Sequence, residues 1–322
     1  MTTNPFDRLG KKIGLRALGP SGRTAAQHEI HVNARHADLR HEPDPAREAE
    51  RARLGLLGRL ASVPCLIEMF SSVPGEEKVV DCVGKLIAYR QERRRDVSRV
   101  RRKRRERPDT DPAPPFVKPF LWIITAGHPT SGMFILGAVR AEGWPRGVYV
   151  TPAAPPNAGR SRRHGVRREP GGLCVGFIVA SQLPRERETI LVRIMAGGAA
   201  LAAALADLAA LPTGAYERDV ASTEVLELRQ VLGQKSKKTK EEEAFIVSTQ
   251  GIVEQLRQEG RDEGRAEEAA RNLLTVLRAR GIIVPDAARE RILAEKEPAR
   301  LERWIEKAVT AASLADWLDE PS

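Results

Sequence analysis

Two runs of this chain, FLWIITAG (120–127) and LCVGFIVAS (173–181), are apolar at almost every position, and GVYVTP (147–152) comes close. Bounded by Pro and Gly, they read as strands covered on both faces, because a strand wetted on one face alternates with period two. Covering both faces takes helices, and helical periodicity lies where that layer needs it. Val79, Val80, Val83, Leu86 and Ile87 form one stripe on a helix starting near Glu76, and the Ala/Leu tract 196–211 forms another. With HADLRHE (36–42) and VPCLIEMF (63–70) as further strands, the reading is α/β: a mixed sheet flanked by helices.

The size of the core follows from composition. Of 322 residues, 41% are hydrophobic and only 4% aromatic, enough for an aliphatic core in one domain of roughly 200 residues plus something smaller. Cys65, Cys82 and Cys174 are too far apart for a CxxC metal site and odd in number, so a reducing compartment, the cytoplasm, fits best. The opening MTTNPFDRLGKK has no apolar core of a leader, and AGGAALAAALADLAAL is interrupted by Asp207, so neither secretion nor a membrane span is expected.

The net charge of +10 is local. Residues 90–107 hold eleven Lys/Arg and three acids, and 160–169 hold five Arg and one Glu, leaving the remainder slightly acidic. Both stretches adjoin Pro-rich segments and read as basic loop insertions, at 90–118 and 153–172. The expected organisation is an N-terminal segment (1–24), an α/β domain (25–232), a charged helical linker (233–268) and a C-terminal all-helical module (269–322). In the module, Leu273, Leu274 and Leu277 mark one helix that Gly281 ends, and Pro285 opens a second through Ile292 and Leu293. Pro298 opens a third with Leu301, Trp304, Ile305 and Val309, and Ser313 caps a fourth with Leu314, Trp317 and Leu318.

Chemistry points first to an acid pair, Asp38 on one strand and Glu68 inside the apolar CLIEMF of the next. Two carboxylates brought together by strand pairing can hold Mg²⁺, which prefers hard oxygen ligands. A structural ion pair is the ordinary alternative, since a buried carboxylate always needs a partner or a proton. Four of the six histidines (28, 31, 36, 41) crowd into QHEIHVNARHADLRHE. A helix bearing His28 and His31 and a strand face shared by His36 and Asp38 would make a transition-metal site, but the spacing matches no compact zinc pattern. Exposed or capping histidines are the commoner explanation, and only His36 stays a candidate. Nucleophile elbows, P-loops and dinucleotide fingerprints are absent.

The order of helix, strand with Asp38, strand with Glu68, long helix and further strand resembles the core of the PD-(D/E)xK nuclease superfamily. Within it the layout is similar to the recombination-promoting nuclease and putative-transposase group, including the charged EGRDEGRA helix and the closing RLERWIEKAVTAASLADWL. The resemblance implies a restriction-endonuclease-like fold and Mg²⁺-dependent DNA endonuclease activity, with Asp38 and Glu68 holding the metal. It also implies that an extra acid on the first helix corresponds to Glu29. It departs at Phe70, which stands two residues after Glu68 where the family has Lys or Gln, and a phenyl ring cannot polarise water. Lys85, or Lys78, on the following helix would take that part.

Arg93, Arg94, Arg95, Arg101, Arg102, Lys103, Arg104 and Arg105 are the candidate phosphate contacts, with DNA the expected partner. Two other functions fit the same residues: a non-catalytic nucleic-acid-binding protein that keeps the nuclease fold, and an interaction protein that forms homo-oligomers through its C-terminal helices.

Overall fold

The structure, a computed structural model, describes residues 5–30, 35–105, 116–152 and 172–310, and the side chains within these ranges other than those of 27–30, 35 and 103–105. The chain divides into two compact units, 1–249 and 250–322.

The first unit opens with α1 (Pro5–Leu18), which buries Phe6, Leu9, Ile13 and Ala17 at helical spacing. It leads into the hairpin β1 (Gly22–Ile30) and β2 (Arg35–Pro43). Two short helices, α2 (Glu48–Ala52) and α3 (Leu56–Leu60), precede β3 (Cys65–Phe70), and α4 (Glu76–Arg105) crosses to β4 (Phe120–Thr125). Next come α5 (Thr130–Ile135), β5 (Val139–Arg140), β6 (Val148–Val150) and β7 (Val175–Val179). The helices α6 (Ile190–Ala196), α7 (Leu201–Ala209), α8 (Tyr216–Gly233) and α9 (Lys240–Ser248) close the unit.

Among the described residues, seven strands form one mixed sheet in the order β1-β2-β3-β4-β7-β6-β5. The central trio β3, β4 and β7 is parallel, and both outer pairs are antiparallel. Every residue of β4 and β7 is buried, as the continuous apolar runs require of strands covered on both faces. One face carries Leu66, Leu121, Ile123 and Phe177 against Val79, Cys82, Leu86 and Tyr89 of α4. The opposite side is covered by α1 and α6, which pack on each other and on β3.

The expected α/β class, the five expected strands and the helix starting at Glu76 are all present. Four expectations need correction. Residues 22–30 form an edge strand rather than a helix, so His28 shares no helix face with His31, which lies outside the described residues, and Glu29 belongs to no helix. This strand carries no apolar alternation, because as an edge strand with a polar sequence it contributes little to the core. Residues 90–105 are not a loop. They continue α4, since Arg and Lys are good helix formers and the first part of the run is pinned to the sheet by acids described below. The stripe on α4 is shifted as well, with Val80 and Ile87 exposed and Cys82 and Tyr89 buried in their place. Finally, the expected N-terminal segment and charged helical linker are refined in place: the former contains a packed helix, and the latter is helical but crosses the boundary between the two units. The first carries α1. The second is split, with Phe245 of α9 packed edge-on against Phe6 and α10 beginning at Gln250.

The second unit comprises α10 (Gln250–Ala279), α11 (Asp286–Ala294) and α12 (Pro298–Thr310). Leu273, Leu277, Ile292, Leu301 and Trp304 share its core. Gly281 takes the left-handed conformation (φ 71°) that ends α10, Pro285 stands at the N-cap of α11, and Pro298 begins α12, as expected. The expected fourth helix with Trp317, and the second basic stretch at 153–171, lie outside the described residues.

Candidate active site

The acids meet where the sheet forks. β2 pairs with β3 only from Leu39↔Ile67 to His41↔Cys65, while its far side stays paired with β1 past that point to Arg35. Asp38 is the first residue of β2 beyond the split. The backbone N–H of Met69, left without a strand partner there, donates to Asp38 Oδ2 at 2.9 Å. The fork therefore fixes the carboxylate, and a cavity of about 460 Å³ opens beside it.

Glu68 lines the same cavity from β3 and is only 2% exposed. Its neighbours on either side, Leu66 and Phe70, pack in the apolar layer under α4. Lys85 reaches down from α4 and donates to Glu68 Oε2 at 2.9 Å, which places a lysine on the acid from the helix rather than from the strand. Lys78, Asp81, Cys82 and Lys85 all line the cavity, at the i, i+3, i+4 and i+7 spacing of one helix face. Phe70 is also in the lining and contributes no polar group.

Burial and then the charge of Asp38 push the Glu68 carboxyl up to about 7, with Lys85 partly opposing them. Burial would lower the Lys85 ammonium, but the charge and hydrogen bond of Glu68 outweigh it and raise it. Glu68 Oε1 is buried and has no hydrogen-bond partner.

Two site residues escaped the sequence reading, Asp7 and Lys11, one turn apart on α1. Lys11 Nζ sits 2.7 Å from Asp38 Oδ1. Asp7 lines the cavity, hydrogen-bonds with Ser71, and has its carboxyl raised by burial and by the Asp38 charge. Their approach depends on two glycines of the same helix. A Cβ on Gly10 would stand 2.7 Å from the Met195 carbonyl oxygen, and one on Gly14 would stand 2.3 Å from Leu39 Cδ1. The periodicity of Phe6, Leu9, Ile13 and Ala17 was available to reveal this helix. α1, not 22–30, is the first helix of the unit, and it brings Asp7 to the cavity, whereas Glu29 stands on the edge strand β1.

His36 is exposed and is not among the residues lining the cavity. His41 is fully buried, its Nδ1 2.8 Å from Thr24 Oγ1, and burial with the nearby Arg51 charge lowers it to about 4, which makes it a neutral core histidine. All three cysteines are buried and free. Burial pushes Cys65 up to about 12 and raises the other two, so none is a thiolate nucleophile at neutral pH.

Apart from the Cys82 thiol, which burial keeps protonated, the donors around the cavity are carboxylate oxygens, a set suited to Mg²⁺ or Mn²⁺ rather than to zinc, and Glu68 Oε1 is buried without a partner. As they stand, no three His, Cys, Asp or Glu side chains among the described residues are gathered closely enough to hold a metal ion. Lysines lie against both acids instead.

The basic half of α4 divides into two classes. Arg93 is not free for phosphate: it pairs with Glu42 at 2.9 Å and is only 14% exposed. Arg94, Arg95, Arg101 and Arg102 are exposed, whereas the side chains of Lys103, Arg104 and Arg105 lie outside the described ones. A somewhat larger cavity, about 540 Å³, lies beside β5 and β6, where Arg59 stacks 4.1 Å over Trp144. Among the described residues its lining has one carboxylate, Glu142, and so no acid pair.

Among the described residues no helix is long and apolar enough to cross a membrane. Compared with known proteins, the chain matches no family model, no curated protein and no solved structure.

Proposed function

We propose that the first unit is a metal-dependent phosphodiesterase of restriction-endonuclease type that acts on DNA, with Asp38, Glu68 and Lys85 as its catalytic residues. The observation that carries this reading is their convergence: an acid from β2, an acid from β3 and a lysine from α4 line one open cavity, with Lys85 directly on Glu68. Asp38 and Glu68 would hold Mg²⁺, which supplies charge neutralisation at the phosphate and a more acidic bound water. Lys85 would offer its ammonium to charge building up on a phosphate oxygen, the part for which Phe70 is chemically unfit. Arg94, Arg95, Arg101 and Arg102 would neutralise backbone phosphates without reading sequence.

Nicking of supercoiled plasmid in Mg²⁺ or Mn²⁺ tests this, with Glu68→Ala, Asp38→Ala and Lys85→Met beside the wild type. Loss of one such electrostatic group is expected to slow the reaction by about 10²–10³. No metal-dependent nicking by the wild type, or variants that nick as well as it does, would sink the hydrolase reading. A second reading, DNA binding without cleavage, is favoured by the exposed arginines of α4 together with lysines already pairing both acids. It predicts salt-sensitive binding and no nicking under any metal.

A further inference from the structure

We infer that Lys11 is a built-in counter-cation of Asp38: its ammonium holds one Asp38 oxygen, so a divalent cation on the acid pair binds against that charge and gains the oxygen by displacing it. This rests on the metal reading proposed above and adds to it a residue that controls affinity.

Three of the four carboxylate oxygens of Asp38 and Glu68 already have partners. Asp38 Oδ2 accepts the Met69 N–H and Asp38 Oδ1 faces Lys11, while Glu68 Oε2 accepts from Lys85 and Oε1 alone has none. A cation seated between the two acids gains Oε1 without opposition and must win one more oxygen. The Met69 amide cannot yield, because its position is set by the continuous pairing of β3 with β4. Lys85 rises from the middle of a long helix and is the more enclosed of the two lysines, 12% exposed against 16% for Lys11. Releasing Lys85 from Glu68 would free an oxygen on the acid that already offers one, and would leave Asp38 fully engaged. Displacement of Lys11 alone gives the cation an oxygen from each acid.

Lys11 also has somewhere to go. Asp7 stands one turn earlier on α1 at the i, i−4 position, lines the same cavity and interacts electrostatically with Lys11. A flexible four-carbon stem can swing from Asp38 to Asp7 without moving the helix, which a backbone donor cannot do. While no cation is bound, Lys11 neutralises Asp38 and so lowers the repulsion between Asp38 and the buried Glu68.

Calorimetric titration of the full chain with Mn²⁺, for wild type, Lys11→Met, Lys11→Arg and Lys78→Met, tests the inference. Lys78 lines the same cavity and is exposed, so its variant reports the general effect of removing a positive charge. Lys11→Met is expected to bind Mn²⁺ about tenfold more tightly than wild type or better, Lys11→Arg no more tightly than wild type, and Lys78→Met within about threefold of it. In chelator, Lys11→Met should melt below wild type, and Mn²⁺ should raise its melting temperature more than that of wild type. If Lys11→Met does not fold, Lys11→Gln is titrated in its place with the same expectation. Manganese binding by wild type with no greater tightening in the Lys11 variant than in Lys78→Met overturns the inference and leaves the metal reading standing. Absence of binding in every protein up to millimolar Mn²⁺ overturns both, whereas binding seen only once Lys11 is neutralised supports the inference most directly.

Discussion

Glu42 is the anchor of the basic helix, and its replacement by Gln should cost stability in a pH-dependent way. One oxygen, Oε1, faces three donors: Arg40 at 2.7 Å, Arg93 at 2.9 Å and the Tyr89 hydroxyl at 3.1 Å. Tyr89 and Arg93 belong to α4, so this contact ties the start of the basic run to β2. Arg40 reinforces it by donating to Glu92, also on α4, at 3.1 Å. Burial alone would raise the Glu42 carboxyl, but the Arg40 hydrogen bond and the charges of Arg93 and Arg40 outweigh it and hold it at about 2, below the ordinary 4.5. That separation corresponds to roughly 3 kcal/mol of stability at neutral pH. The side chain is 29% exposed. Solvent screening therefore lowers the expectation to about 2 kcal/mol. Because the carboxyl is depressed in the folded state, its contribution is present above pH 4.5 and lost as pH falls towards 2. Urea denaturation should show Glu42→Gln less stable than wild type by about 2 kcal/mol at pH 7 and by under about 1 kcal/mol at pH 3. Arg93, released from its acid, should leave DNA affinity unchanged or higher. A stability gap that is the same at both pH values, or below about 0.5 kcal/mol at pH 7, would refute the electrostatic anchor.

His41 should give the opposite kind of signal to a surface histidine. It is held neutral down to about pH 4 against an ordinary 6.5, so the folded state binds fewer protons and stability falls as pH drops from 6.5 to 4. The loss should reach roughly 3 kcal/mol, and in His41→Gln the slope over that window should shrink, which denaturation between pH 4 and 7 measures. The exposed arginines should separate by helix face. Arg95 and Arg102 lie within about 100° of the Lys85 side of α4, and Arg94 and Arg101 lie on the far side, by the helical repeat. Neutralising Arg95 and Arg102 to Gln should weaken DNA binding, and lower its dependence on salt, more than neutralising Arg94 and Arg101. Fluorescence anisotropy at several salt concentrations reads this, and equal losses from the two pairs would mean that DNA does not follow the cavity side of the helix.

Legibility in the sequence followed burial. The strands that form the centre of the sheet were visible because their apolar runs are continuous, and Glu68 drew notice because a carboxylate inside such a run demands a partner. Of Lys85 and Lys78, the two lysines singled out on the following helix, Lys85 is the one that pairs with Glu68, since that helix packs over β3 and Lys85 falls on the face that does. β1 was misread because an edge strand bearing Arg, Gln, His and Glu shows no period-two burial. α1 carries Gly10 and Gly14, which are poor helix formers when helix formation is judged locally. In the fold they are the residues that let α1 approach Leu39 and Met195. The basic run was misread for a related reason. Its charge argues for solvent, and it is in solvent, but exposure does not oppose helix in a stretch of Arg and Lys that begins on a packed turn.

The acid pair is electrostatically costly, and the placement of the lysines that pair with it shows how the cost is divided. Asp38 and Glu68 share one cavity, and the charge of Asp38 is among the forces that raise Glu68. Either acid alone would be satisfied by one local donor. Together they need positive charge from two directions, and the sheet can supply none because both sit at the fork where β2 and β3 part. The lysines therefore come from helices on separate elements, Lys11 from α1 and Lys85 from α4. This arrangement decouples them. Lys85 is set by the packing of Val79, Cys82 and Leu86, and by the Glu42 anchor beyond it, so its distance to Glu68 is fixed by the core. Lys11 depends on α1, whose contact with Asp38 rests on one side chain. On the metal reading proposed above, a site that must hold a charge-stabilising group rigid while admitting a cation needs one fixed ammonium and one that can leave, and the two helices would provide one of each.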